Sequence, residues 1–126
     1  MHDLNMRVAV AVFKNRVAPR LDMVEEFHIY EIENGNVKDV ERVSVSSESH
    51  QQWMEILKER GLKLILCGGA PQFLLRYLFF NDINVLCGLL GHPDTVIQMV
   101  INGEIQSPSP RFPFKRYRRR RRGGWG

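Results

Sequence analysis

Leu64-Ile65-Leu66-Cys67-Gly68-Gly69 and Asn84-Val85-Leu86-Cys87-Gly88 each run apolar residues into a cysteine followed by glycine, and they hold both cysteines of this 126-residue chain. If both runs are parallel strands of one sheet, both thiols sit on one rim. That rim, outside the carboxyl ends of the strands, is where open α/β sheets bind ligands. Two soft thiolates there suit a metal or a metal–sulfur cluster. Neighbouring strands lie ~4.8 Å apart, so two sulfurs at adjacent strand ends can reach one metal. Gly68 and Gly69 let backbone approach a ligand. The helix start expected near Ala70-Pro71 is mildly electropositive, which lowers a thiol pKa and favours thiolate. His92, in the loop after the second run, is a possible third ligand. Lys14, Arg16 and Arg20 follow the first strand and are placed to neutralise an anionic ligand. A lone cysteine at a strand end is ordinarily a small buried hydrophobe, so the metal reading requires both side chains to face the same way. The chain has no CxxC pair and no HxxxH.

The elements that would position these residues can be read in order. Arg7 to Phe13 is β-branched and alternating, and predicts a strand. Lys14 to Asp22 reads as a loop. Glu26 to Glu33 and Asn36 to Val45 are two further strands. Asn34-Gly35 between them is a strong hairpin signal, because a type I′ turn needs two positive φ angles. Ser49 with Gln52 three residues on forms a capping-box pattern before a helix with Trp53, Ile56 and Leu57 on its apolar face, stopped by Gly61. Leu62 to Cys67 is a short buried strand. Pro71 suits the first turn of a helix reaching about Phe80, apolar on all sides and so deeply packed or facing a partner. Ile83 to Cys87 is a fifth strand, and Pro93 opens a third helix with Val96, Ile97, Val100 and Ile101 as its stripe.

The order β-β-β-α-β-α-β-α predicts an α/β fold. One hairpin followed by right-handed crossovers gives a mixed five-stranded sheet, strand order 3-2-1-4-5, with helices on its faces. The strand order is that of a ribonuclease-H-like motif. Nucleases of that kind hold divalent ions with carboxylates on the first and neighbouring strands. Here the first strand offers only Arg7, and Leu62 to Cys67 carries no acid. No phosphate-cradling glycine motif and no nucleophile with a base partner is evident, so the chain is expected not to be an enzyme.

The formal charge of +4 conceals two opposed parts. Residues 107–126 hold eight Lys/Arg and no acid, which leaves ten basic against 14 acidic residues in 1–106. The expected organisation is one folded domain over 1–106 and a disordered Pro/Arg/Gly-rich basic tail over 107–126. The start of the chain lacks a signal-peptide pattern, and the longest apolar stretch is too short to span a bilayer. A cytoplasmic location is therefore expected. Tyr117 and Trp125 among the arginines leave open a second reading, an interaction module that binds nucleic acid or an acidic partner through the tail.

Several landmarks taken together resemble a known family. They are Arg7-Val8-Ala9-Val10-Ala11-Val12, the loop Val17-Ala18-Pro19 and the Asn-Gly hairpin. Gly61-Leu62-Lys63-Leu64-Ile65-Leu66-Cys67-Gly68-Gly69, Ile83 to Gly88 and a final Asn102-Gly103-Glu104-Ile105 complete the set. From about Met6 to Ile105 the chain looks like the dinitrogenase iron–molybdenum cofactor biosynthesis family, the NifX- and NafY-like domain. The resemblance implies a ribonuclease-H-like fold without nuclease activity. It also implies non-catalytic binding or carriage of an iron–molybdenum cofactor, its precursor or a related metal–sulfur cluster, with a client or donor protein as partner. Cys67 and the two glycines after it match the family's strand-end motif. Where many members carry His-Phe-Gly after the loop proline, this chain has Arg20-Leu21-Asp22.

Overall fold

Strand β1 (Met6–Phe13) is buried on both faces, as its unbroken small and β-branched content requires. The computed structural model describes residues 5–105 and, as backbone, 114–116. Val8, Val10 and Val12 point into one half of the core, Ala9 and Ala11 into the other. The chain then turns back at Lys14 (φ 52°) and Asn15 (φ 66°) into a two-residue strand, β2 (Arg16–Val17), antiparallel to the end of β1. A short 3-10 turn over Leu21–Met23 leads to β3 (Glu26–Glu33). Asn34 (φ 53°) and Gly35 (φ 78°) make the expected left-handed turn into β4 (Asn36–Ser44).

Three helices and three parallel strands follow. They are α1 (His50–Glu59), β5 (Leu64–Leu66), α2 (Gln72–Phe79), β6 (Asn84–Cys87), α3 (Pro93–Ile101) and β7 (Phe114–Arg116). The mixed sheet runs β4-β3-β1-β5-β6-β7, with β2 paired to β1 off that path. β1 is central. The antiparallel hairpin lies on one flank and the parallel, cysteine-bearing strands on the other. Trp53, Met54 and Leu57 of α1 and Leu74, Leu75 and Leu78 of α2 pack with Phe27, Ile29 and Ile65 on one face. Val96, Ile97 and Val100 of α3 pack with Tyr30, Ile32 and Leu86 on the other. The Tyr30 hydroxyl donates to Asp94 Oδ1 at 2.7 Å, which pins the start of α3 to β3. Burial and that carboxylate push the Tyr30 phenol well above its ordinary value.

The structure corrects several expectations. The sheet has seven strands rather than five, because β2 and β7 join it. Most of 107–126, expected to be disordered, lies outside the described residues, but 114–116 form a strand. Ser49 occupies the N-cap of α1 without a side-chain cap hydrogen bond, so the capping box does not form. Pro71 precedes α2 as its N-cap. Of the two expectations for that helix, deep packing all round is not met, since Phe73 is 60% exposed and Phe80, its C-cap, 79%.

Candidate metal-binding site

The register Leu64↔Asn84, Ile65↔Val85, Leu66↔Leu86 puts Cys67 and Cys87 at matching ends of adjacent parallel strands. Side chains alternate along a strand, so both thiols share the face of Ile65 and Val85, which is the face covered by α1 and α2. The two sulfurs lie 3.9 Å apart and are not joined in a disulfide. Cys67 is fully buried, whereas Cys87 is half-buried at the rim. One thiol is anchored in the core and the other reaches its edge.

The backbone around the pair is tied from three directions. Cys67 N–H donates to Leu86 O (3.1 Å), Leu89 N–H to Cys67 O (3.2 Å) and Gly88 N–H to Gly68 O (2.8 Å). The loop after β2 closes the third side, with Gly68 N–H donating to Ala18 O (2.8 Å) and Leu21 N–H to Gly69 O (2.7 Å). This contact explains the first glycine. A Cβ on Gly68 would stand 2.8 Å from Pro19 O and 2.9 Å from its Cα, and one on Gly69 would stand 3.3 Å from Pro19 O. The expected close approach is therefore made by the chain's own Pro19 loop. Gly68→Ala is expected to force that loop away and lower stability by about 1–3 kcal/mol, the usual cost of overpacking. Denaturant titration checks this, and an unchanged midpoint would refute it.

The thiol electrostatics also depart from expectation. The hydrogen bond with Cys87, and then burial, push the Cys67 thiol well above its ordinary value. The helix start does not reverse this, because α2 begins only at Gln72 and a helix dipole acts within about one turn. Without metal, Cys67 is a neutral thiol. The pair nonetheless has chelating geometry: two thiolates at ~2.3 Å from a tetrahedral metal lie about 3.8 Å apart, against 3.9 Å here.

The other candidates are placed less centrally. Arg20 faces its own neighbour Asp22 as a two-pronged ion pair, Nε to Oδ1 at 3.0 Å and an amino group to Oδ2 at 3.2 Å. The Lys14 ammonium lies 5.3 Å from the centre of the Phe13 ring, and Arg16 is an exposed residue of β2. His92 is the N-cap of α3, its Nδ1 accepting from Asp94 N–H at 3.2 Å. That helix packs on the opposite face of the sheet from the thiols. Among the described residues no three His, Cys, Asp or Glu side chains converge to hold a metal ion. Among the described residues, the candidate donors brought together at the rim are the two sulfurs.

Sequence reasoning missed β7. Its Arg116 is in register with Cys87, so the sheet continues beside the second thiol. Phe114-Lys115-Arg116 has no alternation that marks a strand, set as it is among prolines and arginines.

Residues 5–103 match the family described as Dinitrogenase iron-molybdenum cofactor. A protein of known structure, PH0822, is 30% identical, with a TM-score of 0.71 over 78% of this chain and 90% of that one. A candidate dinitrogenase from Methanocaldococcus jannaschii is 20% identical, with a TM-score of 0.67 over 82% of this chain and 94% of that one. The apo form of the orange protein from Desulfovibrio gigas is 17% identical, with a TM-score of 0.63 over 83% and 94%. At these last two identities the likeness is one of fold. Comparison with curated proteins gave no match. Among the described residues no helix is long and apolar enough to cross a membrane.

Proposed function

The chain belongs to the dinitrogenase iron-molybdenum cofactor family, and on that premise we propose that it binds and carries a metal–sulfur cluster without catalysing a reaction. The cargo is an iron–molybdenum cofactor, its precursor or a related cluster, held by Cys67 and Cys87 in the cytoplasm. The observation that carries this reading is the pair of sulfurs 3.9 Å apart on one face of adjacent strand ends. Soft thiolates are the protein ligands that iron–sulfur species take. Each thiol gives up its proton as its sulfur coordinates, so loading releases protons.

Two protein ligands leave a cluster's remaining positions to its own sulfides or to a client. That incompleteness suits carriage, since fewer protein bonds must break on transfer. His92, held in its helix cap across the sheet, is left out of the proposed ligand set. The central strands support a binding role, since β1 carries Arg7 as its one charged residue and β5 carries none. Anaerobic incubation with ferrous iron, tetrathiomolybdate and sulfide, followed by gel filtration, tests the reading. Metal and sulfide are expected to co-elute with the protein and give it visible absorption. Elution of all metal in the small-molecule fraction would count against it.

A further inference from the structure

The strand pairing that brings the two sulfurs together also suits a bond between them. Leu66↔Leu86 closes the register of β5 and β6, so Cys67 and Cys87 follow it side by side. Neighbouring strands lie ~4.8 Å apart, and disulfides span Cα separations of roughly 4.4–6.8 Å. Both side chains leave the sheet on the face of α1 and α2, and their sulfurs stand 3.9 Å apart with no bond between them. The backbone around the pair is already held by Cys67 N–H to Leu86 O, Leu89 N–H to Cys67 O and Gly88 N–H to Gly68 O. Closing the gap to the ~2.05 Å of a disulfide therefore asks for rotation of two short side chains and no rearrangement of the sheet.

The two thiols differ in access. Cys67 is fully enclosed, whereas Cys87 is half-buried at the rim. An oxidant arriving from solution meets Cys87 first. Cys67 is within reach of the Cys87 sulfur but not of the solvent. An accessible thiol with a second thiol poised beside it to resolve the first adduct is the arrangement that thiol–disulfide exchange uses.

We propose that Cys67 and Cys87 form a reversible disulfide by exchange with a low-molecular-weight disulfide, and that the bridged chain cannot take up a thiolate-bound cargo. The second clause rests on the thiol-anchored reading above, while the first stands on the geometry of the pair. In the first step the Cys87 sulfur, as thiolate, attacks one sulfur of the small disulfide. That S–S bond breaks, a mixed disulfide forms at Cys87, and one small thiol leaves. In the second step the Cys67 sulfur gives its proton to solvent and attacks Cys87 Sγ. The mixed disulfide breaks, the Cys67–Cys87 bond forms, and the second small thiol leaves. Two protein thiols are thereby oxidised by two electrons, and one small disulfide is reduced to two thiols. The two protons lost by the protein are balanced by the two those thiols take up. With each sulfur bonded to the other, neither is left as a thiolate to hold a metal.

Intact mass spectrometry of the metal-free full chain tests this, after anaerobic incubation with excess glutathione disulfide and an acid quench. The natural chain is expected to lose its two thiol hydrogens and to regain them on treatment with dithiothreitol. Cys67→Ala is expected to stop with one glutathione attached through Cys87, and Cys87→Ala to stay unmodified. A natural chain that keeps both thiols, stops at the glutathione adduct or links to a second chain would overturn the inference. A folded Cys87→Ala chain that takes up glutathione as fast as Cys67→Ala would overturn the order of attack. Cadmium ion, a thiophilic probe that does not reduce a disulfide, is then added to the reduced and the bridged chain. The reduced chain is expected to show ultraviolet thiolate-to-cadmium absorption, and the bridged chain to lose it. Full absorption in the bridged chain would overturn the exclusion of cargo. If the bridge forms but the reduced chain shows no such absorption, the thiol-anchored cargo reading falls and the disulfide stands. If the absorption is present and the bridge never forms, the disulfide falls and the cargo reading stands.

Discussion

The Cys67→Ala, Cys87→Ala chain is expected to lose retention of iron, molybdenum and sulfide after anaerobic loading, with affinity down roughly 100-fold or more. Removing even an outer partner of a metal ligand costs 10–100-fold as a rule, and here both proposed ligands go. The single variants should rank the two sulfurs. Cys87 stands half-buried at the rim, whereas Cys67 is wholly enclosed beneath it. Cys87→Ala therefore tests ligation with little disturbance of packing. Cys67→Ala also empties a small volume in the core, with a stability loss on the order of 1 kcal/mol. Circular dichroism and a thermal melt separate the two effects. A folded Cys87→Ala chain that loads as much metal as the natural one would remove Cys87 from the site.

The pH dependence of loading should be steep. Cys67 holds its proton more tightly than an ordinary thiol, because of its hydrogen bond with Cys87 and its burial. Coordination requires that proton to leave. Below the thiol pKa each proton released contributes a factor of about ten in affinity per pH unit. Loading is thus expected to strengthen at least tenfold per unit from about pH 6.5 to about 8.5, without levelling off at the ordinary thiol value. The metal-free fold should respond in the opposite sense. In the unfolded chain the Cys67 thiol ionises above about pH 8.5, while in the fold it stays protonated. The unfolded state then binds fewer protons, so stability falls as pH rises through that range, by up to about 1.4 kcal/mol per unit. Cys67→Ala should flatten that decline. Loading that is independent of pH, or a decline unchanged in Cys67→Ala, would contradict the protonated, buried thiol.

The parts of the fold most legible in the sequence were those where one residue type satisfies one backbone demand. Asn34-Gly35 marked its turn because both positions need positive φ, and both have it. The thiols were legible as strand ends, and pairing between β5 and β6 then fixed their common face. The turn into β2 was hidden because Lys14, with a Cβ and φ of 52°, is not a residue that announces a left-handed position. β7 was hidden because three residues are too few for a period to show. Gly68 was legible as a point of close approach, but sequence could not show that the Pro19 loop, distant in the chain, fills the space. The sign of the Cys67 shift also needed coordinates. Proximity to a helix start was visible along the chain, while complete burial beside a second thiol was not.

Metal and acid-labile sulfide content of the protein isolated from its native host without exposure to oxygen tests the central claim most directly. Iron or molybdenum together with sulfide is predicted in the natural chain, and neither in a Cys67→Ala, Cys87→Ala chain expressed and purified alongside it. A natural chain free of both, or equal content in the two chains, would contradict a cluster held by this thiol pair.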